Sequence, residues 1–237
     1  MNDPPYTVRV SRRAQRMHLV VSASDGLTVV IPPRFDRTRI APLVAARLDW
    51  IERARHRVEA EREHLAASRA AGPPGQVLLN GIGEAWRVSY RPSQAVGVQA
   101  RPSGHGDLTV SGSVHDVELV GAALRRFVAR RALEGLGGEL RTLAAARGID
   151  VGPLSVRGQR TRWASCSAHG AVSLNRNLAF LPPRLVRHVL LHELCHRRVM
   201  SHSPAFWQLL DAEEPDRRAL DAELRTAWRF IPHWARS

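Results

Sequence analysis

A chain of 237 residues, 44% hydrophobic and 24% charged, can bury a sizeable core in one large domain or two small ones, which excludes a fibrous or wholly disordered protein. The formal net charge is +13, which admits a polyanionic partner, yet every one of the 35 basic residues is arginine and they are spread without a long run, so a compositional preference explains the charge equally well. The only two cysteines, Cys166 and Cys195, form no CxxC pair and are too few for a secreted disulfide scaffold. The N-terminus lacks an apolar signal core and no stretch approaches the roughly 18 apolar residues of a membrane span, so a soluble cytoplasmic protein is expected.

In chain order, residues 6–32 read as a hairpin or meander. Tyr6 to Val10 and Met17 to Val21 alternate, Asp25-Gly26 gives a turn, and Leu27 to Ile31 is an apolar strand stopped by Pro32-Pro33. Ile40, Leu43, Val44, Leu48 and Ile51 recur at helical spacing, predicting one long helix over 38–70 whose charge-rich part, Arg53 to Arg69, is a solvated face. Gly72-Pro-Pro-Gly75 breaks the chain. Short strands follow at 77–79, 86–90, 96–98 and 108–110, then a second long helix over 117–147 with Leu124, Phe127, Val128 and Leu133 on its apolar side. Residues 172–178 alternate as a strand. Pro182-Pro183 then opens a helix to about Met200, and shorter helices follow near 204–213 and 216–227. The pattern predicts an α+β fold. Residues 1–115 form a β-rich N-terminal region with one long helix, and residues 116–237 form a catalytic part.

The chemistry lies in His192-Glu193-Leu194-Cys195-His196, an HExxH motif inside the helix. At about 100° per residue, His196 lies about 40° around the axis from His192 and one turn along, so both imidazoles face one point, where a tetrahedral zinc ion would sit. Glu193 lies about 100° from His192; it is placed to take a proton from water on that metal rather than to bind it face-on. A catalytic zinc needs a third protein ligand and an open fourth position. His202 follows at HExxH-x5-H spacing. Zinc peptidases with a glycine in the intervening turn read HExxHxxGxxH; here that position is Val199, so the turn needs another backbone route, such as Met200-Ser201.

At these residues the chain resembles the YgjP-like metallopeptidases, metal-dependent hydrolases related to the SprT and WLM groups. The resemblance rests on Arg160-Thr-Arg-Trp-Ala-Ser-Cys-Ser167, Gly170, Val172 to Leu178, Pro182, His188 to His196, His202-Ser203, Phe206-Trp207 and Pro215-Asp216. It extends to Arg12-Arg13, Asp25-Gly26, Val29 to Pro32 and Trp50-Ile51. It implies that His192, His196 and His202 hold the metal, that Glu193 is the catalytic acid and base, and that the catalytic half is compact, helical and zincin-like, with a short strand or sheet beside the active-site helix.

The expected function is a zinc-dependent metallopeptidase that cleaves peptide bonds with a zinc-bound water activated by Glu193, acting on a protein or peptide and not on a membrane. Two alternatives stand beside it. One is a DNA-associated, SprT-like protease, for which the positive charge would supply the nucleic-acid contact. The other is a non-catalytic module in which Cys166 closes the zinc site as fourth ligand. Strand 172–178 is the candidate substrate-binding strand, with Asn175 either a cleft residue or a turn residue. Trp163 and Trp207 read as packing residues and Cys195 as core. Arg157, Arg160 and Arg162 could hold an anion or pair within the fold. His169, His188, Arg162 or a backbone N–H could stabilise an oxyanion.

Overall fold

The computed structural model describes residues 4–22, 25–70 and 72–236, and of residues 61–70 the backbone alone. Within these residues six α-helices and ten strands in three small sheets make an α+β protein. Contacts divide the chain into two compact units, Met1–Ala70 and Ala71–Ser237.

The first unit is built on β1 (Tyr6–Val10), β2 (His18–Ser22) and β3 (Gly26–Ile31), in the order β1-β3-β2. β2 and β3 form the antiparallel hairpin expected around Asp25-Gly26, where Gly26 takes a φ of 62°. β1 instead pairs parallel to β3, Tyr6 opposite Leu27 and Val10 opposite Ile31, so the segment is not a meander. The cause is the apolar character of β3, whose only polar side chain between Leu27 and Ile31 is Thr28. Its residues from Leu27 to Ile31 are all buried, and such a strand takes the centre of a sheet.

The single helix expected over 38–70 is interrupted. A 3₁₀ turn at Arg37–Arg39 leads into α1 (Ile40–Ala45) and then α2 (Leu48–Ala70). Pro42 has no N–H to give the carbonyl of Thr38, which suits the tighter turn before it. Ile40, Val44 and Ile51 are buried against Leu27, Val29 and Ile31, whereas Leu43 is exposed. From Arg53 to Ala60 the charged side chains face solvent; the rest of that charge-rich stretch, 61–69, lies outside the described side chains.

The second unit opens with β4 (Gln76–Leu79), β5 (Glu84–Pro92), β6 (Val98–Gly104) and β7 (Asp107–Gly112), ordered β4-β5-β7-β6 with β5 parallel to β7. Alternation puts Val77, Leu79, Trp86, Val88, Ala100, Leu108 and Val110 into one core. That core is shared with α3 (Val117–Ala145), which begins where the Asp116 carboxylate accepts the N–H groups of Glu118 and Leu119, each at 3.0 Å. Thus residues 76–112, grouped by sequence with the N-terminal half, pack in the same core as α3. Leu133, expected on the apolar side of α3, is exposed.

Next come β8 (Leu154–Arg157), β9 (Ala164–Cys166) and β10 (Val172–Asn175), ordered β8-β10-β9. The strand expected over 172–178 stops at Asn175, because its side chain accepts the N–H of Asn177 (3.1 Å) and caps a 3₁₀ turn at Arg176–Phe180. Then come α4 (Pro183–His196), α5 (Pro204–Glu213) and α6 (Arg217–Leu224). α4 ends at His196, four residues short of expectation. The buried Gly81, after β4, meets this region closely: a Cβ there would lie 2.4 Å from the carbonyl oxygen of Leu178 and 2.8 Å from a methyl of Val186. Among the described residues, no helix is long and apolar enough to cross a membrane.

Candidate metal centre

α4 is amphipathic in a specific way. Leu185, Val186, Val189, Leu190 and Leu194 bury one side in the core, while His188, His192 and His196 recur every four residues and so share another face. After His196 the N–H of Val199 bonds the carbonyl of Cys195 (2.9 Å) and that of Ser203 bonds Ser201 (2.7 Å). No described non-glycine residue has a positive φ, so the chain reverses without the left-handed residue that a glycine would supply, and Val199 fits.

This turn brings His202 back to the helix. Its Nε2 lies 3.0 Å from Nε2 of His192, and the ring centroids of His192, His196 and His202 are 4.7–5.1 Å apart. One nitrogen from each of the three rings falls within 4.8 Å of the others, and no other described group of histidines, cysteines and carboxylates gathers in this way. Two nitrogens each 2.0–2.1 Å from one tetrahedral ion would be about 3.3 Å apart, close to the 3.0 Å between the Nε2 atoms of His192 and His202. Phe206 of α5 packs against all three rings at 4.6–4.9 Å and fixes their spacing from below.

The electronic state suits ligands. Burial, reinforced by the neighbouring histidines, pushes His192 down to about 4, and burial also lowers His196, so both rings are neutral at neutral pH and keep a lone pair. Nδ1–H of His196 donates to the carbonyl of Val199 (3.3 Å), which leaves Nε2 as the free donor atom. Glu193 is 5% exposed, and burial raises its carboxyl to about 7. Its Oε2 is buried with no partner, an orphaned acceptor beside the three nitrogens. The neutral rings of His192 and His196, a third nitrogen from His202 and the unpartnered oxygen of Glu193 fit a divalent ion with an open coordination position.

Beside this group lies a cavity of about 200 Å³, lined by Trp163, Ala164, His188, Val189, His192, Glu193, Asp221 and Leu224. Asp221 accepts from Nε2–H of the buried His188 (3.0 Å) and from Arg217 (3.1 Å). Arg217 also binds Asp211 (2.6 Å), and its guanidinium lies 4.6 Å above Trp207. Trp207 in turn stacks on His202, 5.3 Å between centroids at 21°. Nothing in the sequence spacing marks Arg217, Asp211 or Asp221; Arg217 and Asp221 reach the site through the packing of α6 on α4, and Asp211 meets Arg217 from α5. The one available signal, Phe206-Trp207, reads as packing, and both residues do pack on the histidines.

The remaining sequence candidates separate clearly. Asn175 is fully buried and donates to the carbonyls of Gln159 (2.8 Å) and Arg162 (2.7 Å), so it organises a loop and does not face a cleft. β10 is flanked by β8 and β9, so its backbone is already paired; the strand that packs against α4 with an edge open is β9. Trp163 stacks on Trp228 at 4.6 Å and lines the cavity. Cys195 lies in the core. Cys166, on β9, stands outside the three-histidine group, and burial together with the charge of Glu193 holds its thiol above the usual range. Arg157, Arg160 and Arg162 are exposed, as is His169, and none of the three arginines makes a side-chain ion pair within the described residues.

Residues 15–227 match the family described as YgjP-like, metallopeptidase domain, and the chain belongs to that family. It is thus a member of a family of metal-dependent peptidases. Among solved structures, it is similar to the metallopeptidase zymogen of Pyrococcus abyssi abylysin, at 20% sequence identity and a TM-score of 0.36, over 40% of this chain and 95% of that one. No curated protein matches it.

Proposed function

We propose that this protein is a zinc peptidase in which His192, His196 and His202 hold the ion and Glu193 is the proton carrier. The observation that carries the reading is the convergence of three imidazole nitrogens within 4.8 Å beside a buried carboxylate with an unpartnered oxygen. Zinc is favoured over harder ions by the all-nitrogen donor set, and three ligands leave the open position that a closed structural site lacks. When bound, the ion supplies a Lewis acid for the scissile carbonyl and makes water acidic enough to lose a proton near neutrality.

The residues supply the rest. Glu193 takes one proton from the attacking water as oxygen bonds to the carbonyl carbon, and gives it to the departing amine nitrogen as the C–N bond breaks. Its raised pKa of about 7 suits both transfers. The open edge of β9 can receive an extended substrate by backbone hydrogen bonds, placing the scissile bond between β9 and α4. The cavity beside Glu193 then accepts a neighbouring substrate side chain. The machinery lies within 116–237, the span we assign to a zincin-like catalytic part, with the sheet of residues 76–112 supporting it.

Elemental analysis tests the reading directly. Protein purified without an affinity metal and then offered zinc should hold about one ion per chain, and His202→Ala much less. Full retention by the variant would place the third ligand elsewhere. No uptake by the wild type would end the peptidase assignment.

A further inference from the structure

The first unit carries a feature that the peptidase reading does not use. Because β1 runs parallel and β2 antiparallel to β3, Val10, His18 and Ile31 lie at one end of the sheet. The connection 11–17 and the segment 32–39 both leave from that end, and a hydrogen bond from Ser11 N–H to the Ile31 carbonyl (2.9 Å) ties their roots together. The two segments bring Arg12, Arg13, Arg16, Arg34, Arg37 and Arg39 to one end of the unit, and all six are exposed. None makes a side-chain hydrogen bond or ion pair within the described residues. The one carboxylate in these segments, Asp36, is engaged by the backbone and hydroxyl of Thr38 at 3.0 and 2.7 Å.

We propose that this arginine end is a binding surface for a nucleic-acid duplex, held through its phosphate backbone without base readout. Guanidinium groups match phosphate oxygens two at a time, and a cluster from two segments can meet several phosphates at once. Other partners fit less well. A lipid surface is gripped by several large exposed apolar side chains among the charges, but Met17 and Phe35 are partly buried against the core of the unit, and Val10 is the exposed apolar side chain at that end. That same packing removes the aromatic platform on which single-stranded bases stack. An acidic protein partner is held by large apolar anchors at the centre of its interface, and Met17 and Phe35 are packed against the core of the unit rather than presented to one.

The test compares two charge-matched variants of the full chain, using fluorescence anisotropy on a short labelled DNA duplex between about 50 and 200 mM salt. One variant changes Arg12, Arg13, Arg16, Arg34, Arg37 and Arg39 to Gln. The other changes six exposed arginines scattered elsewhere: Arg53, Arg57, Arg91, Arg101, Arg141 and Arg225. The wild type should bind with a log–log salt slope of about −3 to −5, about 0.9 per phosphate met. The clustered variant should lose roughly ten-fold or more in affinity at low salt and most of that slope, while the scattered variant keeps most of both. If the clustered variant does not fold, triple changes at 12, 13 and 16 or at 34, 37 and 39 should each remove about half the slope. Equal losses in the clustered and scattered variants would overturn the proposal, as would absence of duplex binding at low salt. Tighter binding to a single strand of equal length, or to anionic phosphatidylserine vesicles, would also overturn it. None of these outcomes depends on metal binding or hydrolysis.

Discussion

Arginine does different work in the two units of this protein. In the second unit it is largely internal carpentry. Arg125 donates to the carbonyl of Trp234 at 2.8 Å, Arg126 and Arg130 to those of Val98 and Ala100 at 3.0 Å, and Arg198 to that of Arg147 at 3.0 Å. The first three fasten α3 to the C-terminal turn and to β6, and the last ties the turn after α4 to the turn after α3, each through a backbone oxygen. In the first unit, six guanidinium groups at one sheet end make no hydrogen bond or ion pair within the described residues. A net charge of +13 therefore says little about partners by itself. What informs is where the positive charge has no internal use.

Perturbing the second unit should bring the larger effects. Glu193→Gln should keep the metal and lower peptide hydrolysis by about 10²–10⁴-fold, since it removes the proton carrier and no ligand. Hydrolysis of a quenched fluorescent peptide library, measured beside metal content, checks this; full activity would remove Glu193 from its role. Next in size is Arg217→Gln. It dissolves the layer in which Arg217 and Trp207 support His202, and should weaken zinc binding about 10- to 100-fold in a chelator competition, with little change in melting temperature.

Arg131 tests the carpentry itself. It pairs with Glu84 at 2.5 Å and lies 5.6 Å from the Trp86 ring, and Glu84 also accepts from the Trp86 indole (2.8 Å). Arg131→Ala should cost about 1–3 kcal/mol by denaturant titration, by leaving a half-buried carboxylate short of donors. Arg12→Gln should change stability by less than about 0.5 kcal/mol; a loss as large as that at Arg131 would erase the contrast between the units. Burial alone would raise the Glu84 pKa, but the hydrogen bonds from Arg131 and Trp86 and the charge of Arg131 hold it below 4.5. This contribution is therefore complete above pH 4.5 and is lost as the pH falls through the lower folded value, a loss the Arg131→Ala variant should no longer show in full. A smaller effect than that at Arg131 belongs to Val199→Gly. The turn there needs no left-handed residue, so a glycine should lower stability by about 0.5–1 kcal/mol and leave zinc affinity unchanged.

Local signals were legible in the sequence where one segment carries the whole pattern. The HExxH spacing on a Pro-opened amphipathic helix, the return of His202 and most strands of the second unit belong to this class. Partnerships between distant segments left no such trace. The parallel pairing of β1 with β3 depends on which strand is apolar enough to take the centre of the sheet. β9 is a short strand whose open edge exists only because β10 pairs on both sides. Arg217 and Asp221 sit in an ordinary charged helix and meet the histidines through α6 packing. The arginine cluster escaped for the same reason: its members fall in two groups, Arg12 to Arg16 and Arg34 to Arg39, separated by a strand hairpin, so the chain shows no run.

The tight place at Gly81 gives the centre a mechanical footing. With room for a hydrogen but not a methyl, this residue lets the end of β4 rest directly on the turn that precedes α4 and on Val186 within it. A side chain of any size would act as a wedge, tilting the histidine-bearing helix against a sheet that contributes no atom to the chemistry. Mutational tolerance should therefore be narrow at a position outside the three-histidine group. A screen for lost activity would recover residue 81 alongside the histidines, although it could never touch a substrate.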